Sequence, residues 1–209
     1  MAKKERALTL AEQKRKTRFE QVCAEMEQNG YQKRDLTIGV VRANGMAVLI
    51  MLPFAAAAGW LYVSVHPSGG ISFSSGSILA LLAAFFVLAV VHEGIHGLTW
   101  GLLAETGFRS ISFGVIWKAL TPYCTCQQPL KKWQYILGGL MPTLVLGFGL
   151  AIAATAAGQF WLFLLAECLI FGGGGDFYII WKLLRYRPQG RTVLCYDHPY
   201  ECGLVVFEK

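Results

Sequence analysis

From Ala43 to His92 the chain carries no Asp, Glu, Lys or Arg. An uncharged run of roughly fifty residues is long enough for two lipid-crossing helices, which need about 20 residues each. Backbone in hydrocarbon must satisfy its own hydrogen bonds, so helices are the expected form of such a run. The remaining composition agrees. Of 209 residues, 55% are hydrophobic and only 15% are charged, against about 25% charged in soluble domains. A water-soluble monomer is excluded, and a pair of soluble domains is disfavoured.

The run is interrupted once, at His66-Pro67-Ser68-Gly69-Gly70, where Pro and paired Gly favour a turn. That places a first span near 45–65 and a second near 77–103. Residues 104–132 are polar again and form a connecting loop, in which Arg109-Ser110-Ile111-Ser112-Phe113 alternates as a strand does. A third span fits 133–157, with Trp133 and Tyr135 suited to an interface. Gly158-Gln159 makes a minimal turn into a fourth span at 160–184. In the tail, 185–209, two short apolar runs flank a Pro/Gly turn and read as a β-hairpin.

Charge sets the expected orientation. The net charge is +6, and ten of the 19 basic residues precede Asn44. The loops at 66–76 and 158–159 hold no Lys or Arg, whereas the N-terminal arm (1–44), the 104–132 loop and the tail hold nearly all of them. The positive-inside rule then predicts four spans with both termini in the cytosol. Anionic membrane lipid, rather than nucleic acid, is the expected partner of the basic arm. Cytosolic placement also predicts that most of the six cysteines are thiols, not disulfides.

Within the arm, Thr9-Leu10-Ala11-Glu12 has capping-box spacing and Asn29-Gly30 can stop a helix. Phe19, Val22, Cys23 and Met26 form one apolar stripe between them. Two placements fit that stripe equally: a helix lying on the membrane, or one docked on the protein's own surface.

The chemistry concentrates at His92-Glu93-Gly94-Ile95-His96. On a helix the two imidazoles lie one turn apart, about 5–6 Å between Cβ atoms. That spacing lets them share a Zn2+ ion, with Glu93 beside them as general base. A fortuitous pattern is the competing reading. It is weakened by cost, since an ionisable group at mid-membrane costs roughly 2.5–3.5 kcal/mol on insertion scales. A shared cation offsets that cost.

A catalytic zinc site needs a third protein ligand and an open position for water. Asp176, Glu167, His198 and the cysteines are candidates. His92 and His96 lie roughly 23–29 Å along the second span, and Asp176 lies roughly 24 Å along the fourth in the same direction. Glu167 would sit about 13 Å higher. Depth therefore selects Asp176. The preceding Gly172-Gly173-Gly174-Gly175 suits either close helix packing or a loosened helix that aims Asp176 inward. Arg109 to Ile116 is a candidate edge for an extended substrate, or else a hairpin capping the bundle. Cys124-Thr125-Cys126 lacks the usual structural-zinc spacing and reads as ordinary reduced cysteines.

These residues resemble the zincin peptidases found among small bacterial membrane proteins. The resemblance rests on His92-Glu93-x-x-His96, Gly174-Gly175-Asp176, Thr121-Pro122-Tyr123-Cys124, the Leu130 to Tyr135 approach to a span carrying Pro142, and Asp197-His198-Pro199. More distantly the arrangement is similar to the site-2 proteases, which are intramembrane metalloproteases. That similarity implies His92, His96 and Asp176 as zinc ligands and Glu93 as the catalytic residue. The chain departs from the site-2 pattern in two ways. Phe177 follows the ligand Asp in place of Gly, and the only asparagines are Asn29 and Asn44, so no residue is assigned to polarise the substrate.

The expected fold is an all-α membrane protein of four transmembrane helices with a small cytosolic β element. The expected function is zinc-dependent hydrolysis of peptide bonds in a membrane-associated protein or peptide near the cytosolic face. The alternative is a non-enzymatic metal-binding membrane protein acting as sensor, transporter or scaffold.

Overall fold

The computed structural model describes residues 9–67, 74–116 and 121–209. Most of the turn expected at 66–70 lies outside them; His66 and Pro67 are described. Four helical stretches are long and apolar enough to cross a membrane: Val40–Val65, Ser75–Leu103, Lys132–Ala157 and Phe160–Arg185. The first two are the continuous helices α2 and α3. The third is built from α4 (Lys132–Pro142), a π-helical turn over Thr143–Gly149 and α5 (Leu150–Ala157). The fourth is α6 (Phe160–Gly172) followed by α7 (Gly174–Arg185), joined through Gly173.

Packing explains these boundaries. Ser74 caps α3 by accepting the Ser77 N–H at 3.1 Å. Gly158 ends α5 in the left-handed region at φ 64°, the conformation that favours glycine. Tyr62 of α2 stacks on Phe163 of α6 with centroids 4.4 Å apart. Toward the other end, a Cβ on Gly174 would lie 2.8 Å from the Ala47 carbonyl oxygen, so α2 and α7 approach backbone to backbone. The outward faces of α2 and α3 stay apolar, with Leu49, Val63, Leu79, Val87 and Leu102 all exposed.

Two antiparallel sheets gather at the end of the bundle where α2 begins and α3 and α7 finish. Strands β2 (Ile111–Ile116) and β3 (Thr121–Cys126) form a hairpin, with Ile111 opposite Cys126 and Phe113 opposite Cys124. The second sheet contains β1 (Gln32–Asp35), β4 (Leu130–Lys131), β5 (Val193–Asp197) and β6 (Leu204–Glu208), in the order β1-β6-β5-β4. The tail hairpin is therefore its centre, with Cys195 opposite Val206. The sequence carried no sign of β1, a polar Gln-Lys-Arg-Asp segment that pairs along β6. A core of Trp100, Leu130, Tyr135, Leu183, Cys195 and Leu204 joins this sheet to the helices.

The N-terminal helix α1 (Leu10–Gln28) has the expected capping box. Glu12 N–H donates to Thr9 Oγ1 at 3.3 Å, and Thr9 N–H donates to Glu12 Oε2 at 2.8 Å. Its stripe is covered by protein. Phe19, Val22 and Met26 are buried against Tyr196, Val205 and Phe207. Of the two placements open to this helix, docking on the chain's own surface is the one observed.

Candidate metal centre

The site is carried by α3 and closed by the start of α7. His92 and His96 are buried on the inner face of α3, one turn apart, with ring centroids 4.9 Å from each other. Glycine brings the neighbouring elements close. A Cβ at Gly97 would run into the Phe113 ring and approach Ile111 Cγ2 at 3.1 Å, so strand β2 rests directly on α3. A Cβ at Gly138 of α4 would run into the Trp100 indole. Trp100, one turn beyond His96, lies nearly parallel to that imidazole at 5.0 Å and 18°.

His96 Nδ1 is 2.8 Å from the Gly138 carbonyl oxygen. A carbonyl only accepts, so Nδ1 carries the proton and Nε2 presents its lone pair on the far side. That nitrogen faces Asp176, which lies in the first turn of α7 just past the break at Gly173. Asp176 Oδ2 is 3.4 Å from His96 Nε2 and 3.3 Å from His92 Nε2. The three ligand atoms lie within 4.8 Å of one another. Bonds of about 2.0–2.1 Å in tetrahedral zinc sites place neighbouring ligand atoms about 3.3 Å apart. The donor set and both Asp–His separations fit that ion, and a backbone carbonyl holding the far ring nitrogen is the usual support of a ligating histidine.

Glu93, half-buried, projects beside the pair and lies near the backbone of Cys124. Cys126 N–H, two residues on, donates to Asp197 Oδ2 at 3.1 Å. Amides two apart along a strand point the same way, so both lie on the edge of β3 that β2 leaves open. The strand edge beside Glu93 thus belongs to β3. The segment from Arg109 to Ile116 serves as a brace, through Phe113 and Ile111 against Gly97, with Phe108 just before it against Gly101.

The other sequence candidates lie apart from this group. Glu167 on α6 has Oε1 buried with no hydrogen-bond partner among the described residues. His198 Nδ1 accepts the Glu201 N–H at 3.0 Å, and its ring packs against Phe19 and Tyr200. All six cysteines are free. Burial pushes the Cys124 and Cys126 thiols up, and that of Cys195 to about 12, so they stay protonated and poorly suited to bind metal. Among the described residues no second cluster with metal-ligand spacing occurs.

Residues to which the sequence reading gave no role at the site surround it: Trp100, Tyr135, Gly138 and Asp197. Trp100 had a usable signal, since it follows His96 by four residues and shares its face. Gly138 had none and Asp197 had only its place in the family resemblance, because their roles depend on contacts between distant segments.

A family model described as "Putative zincin peptidase" matches residues 85–190. That segment contains His92, Glu93, His96, Cys124, Gly138 and Asp176. No curated protein and no solved structure matches the chain.

Proposed function

The chain belongs to this zincin peptidase family, and from that premise we propose that it is a membrane-embedded zinc metallopeptidase acting on a membrane-associated protein or peptide near the cytosolic face. The observation that carries this reading is the spacing of the His92, His96 and Asp176 donor atoms around a common point, with Glu93 on the same helix turn. His92, His96 and Asp176 would hold Zn2+, which when bound supplies a Lewis acid for the scissile carbonyl and the attacking water. Glu93 would take a proton from the water that attacks the peptide carbon. It then delivers the proton to the departing amine, so that one water and one peptide bond give a carboxylic acid and an amine.

The remaining elements have compatible roles. The β3 edge beside Glu93 lies where an extended peptide would run, and its outward carbonyl oxygens would accept from that peptide's amides, since Pro122 has no N–H and the Cys126 N–H is bonded to Asp197. Four apolar helices support a multi-pass protein of the cell membrane. Helix α1, the β2–β3 hairpin and the four-stranded sheet share the end that carries Arg42, Lys182 and Arg185, and the positive-inside rule would assign that end to the cytosol. Water reaches the site from there, and anionic lipid faces the basic residues.

The test is metal analysis of the purified full chain together with hydrolysis of a labelled protein substrate such as casein. Wild type should hold about one zinc per chain and cleave, whereas Glu93→Gln should hold zinc and not cleave. Zinc retained in both His92→Ala and Asp176→Ala would refute the ligand assignment.

A further inference from the structure

Beyond the matched segment, the last residue of β5 makes contacts that converge on the proposed metal centre. Asp197 Oδ1 accepts the Tyr135 hydroxyl at 2.8 Å, and Oδ2 accepts the Cys126 N–H at 3.1 Å. We propose that Asp197 is a positioning residue for both His96 and Glu93, so that the C-terminal hairpin is part of the active-site framework. The inference rests on the metal-centre reading and extends it to a residue outside the family segment.

Two routes lead inward from the carboxylate. Along the first, the Tyr135 ring lies on Trp100 at 5.7 Å and 25°, and Trp100 lies on His96 at 5.0 Å and 18°. Trp100 Nε1 also donates to the Tyr135 carbonyl oxygen at 3.4 Å, so hydroxyl, indole and imidazole form one stack. Along the second route, holding the Cys126 amide fixes the β3 edge, and Cys124 on that edge neighbours Glu93. One carboxylate thus sets the tilt of a ligand ring and the reach of the proposed base. A carboxylate suits the place because it is acceptor-only and meets two donors at once. Burial raises its pKa to about 6, which leaves it ionised at neutral pH.

A purely structural role would change stability and leave the metal environment alone, so the readout must be the metal. Co2+ serves as the probe, since its visible d–d bands report ligand geometry. It is titrated into the detergent-purified full chain of the wild type, Asp197→Ala, Tyr135→Phe and, as control, Glu208→Gln. The control breaks a comparable carboxylate cluster in the same sheet, where Glu208 bonds Arg34, Tyr186 and the Gln189 N–H, each at 2.9 Å.

Removing a group that orients a metal-binding histidine typically weakens metal binding 10–100-fold. Asp197→Ala should show about that loss with altered bands. Tyr135→Phe should show a smaller loss in the same direction, and it keeps the test open if Asp197→Ala does not fold. Glu208→Gln should lose thermal stability but keep wild-type affinity and bands. Wild-type Co2+ affinity and bands in Asp197→Ala or in Tyr135→Phe would overturn the proposal, as would an equal loss of affinity in Glu208→Gln. A wild type that binds no Co2+ would instead overturn the metal-centre reading itself.

Discussion

Gly138 accepts a hydrogen bond from His96 Nδ1 across the contact between α4 and α3, at 2.8 Å. This single bond decides which nitrogen of His96 can face Asp176. It is possible because position 138 has no side chain. Any Cβ there would occupy the space of the Trp100 indole, and that indole holds the other side of the imidazole stack.

Gly138→Ala tests this close approach. The added methyl must displace Trp100 or part α4 from α3, and overpacking of this kind costs about 1–3 kcal/mol. A lowered thermal midpoint and a shifted tryptophan emission are expected. Unchanged values for both would show that the interface yields freely.

Ligand removal and base removal should separate cleanly. His92→Ala and Asp176→Ala are expected to lower bound zinc from about one per chain to near zero, read by atomic emission. Glu93→Gln is expected to keep its zinc and to lose hydrolysis by about 10²–10⁴-fold, the usual worth of a positioned general base.

Zinc binding should also stabilise the fold. A ligand at 1,000 times its dissociation constant adds about 4 kcal/mol to the state that binds it. Chelator treatment should therefore lower the wild-type unfolding midpoint and leave that of Asp176→Ala unchanged. Equal midpoints for wild type with and without chelator would contradict a site linked to folding.

Stability should depend on pH through Glu208. Its hydrogen bond from Arg34, at 2.9 Å, holds the carboxyl below its usual pKa. A lowered folded-state pKa means that the contribution is present above the unfolded value, near 4.5, and is lost as pH falls through the folded value. Glu208→Gln should thus be less stable than wild type at pH 7, and the gap should narrow as pH falls below the unfolded value of 4.5. A gap that does not change as the pH falls would assign the difference to packing instead of charge.

The docking of α1 can be probed by proteolysis. Val22 is 2% exposed between α1 and the tail sheet, and burying a valine contributes about 1.5–3 kcal/mol. Val22→Asp forfeits that and adds an unpaired charge. Trypsin should then cut early within Lys14 to Arg18, while the rest of the chain stays intact by mass spectrometry.

Periodicity and charge located the helices to within a few residues. The spans expected at 45–65, 77–103, 133–157 and 160–184 correspond to helices over 40–65, 75–103, 132–157 and 160–185. The depth argument brought Asp176 to the level of His92 and His96, where the structure places it, because helix rise is the same for every sequence. The π-helical turn at Thr143–Gly149 and the strand at Gln32–Asp35 were invisible. Neither has a local signature, since each arises from what lies beside it: Ile170 packed against Gly147, and the open edge of β6.

The order of residues along the chain dictates that apolar helices form, and that two imidazoles and a carboxylate share a turn of α3. Those are consequences of backbone rise, helical period and the cost of charge in hydrocarbon. Which strand borders Glu93, which nitrogen of His96 faces inward, and which carboxylate steadies the stack behind it were settled by packing. Such contacts join residues far apart in the chain, among them His96 with Gly138 and Cys126 with Asp197. Their geometry depends on how whole elements fit together, and no local run of residues encodes that fit.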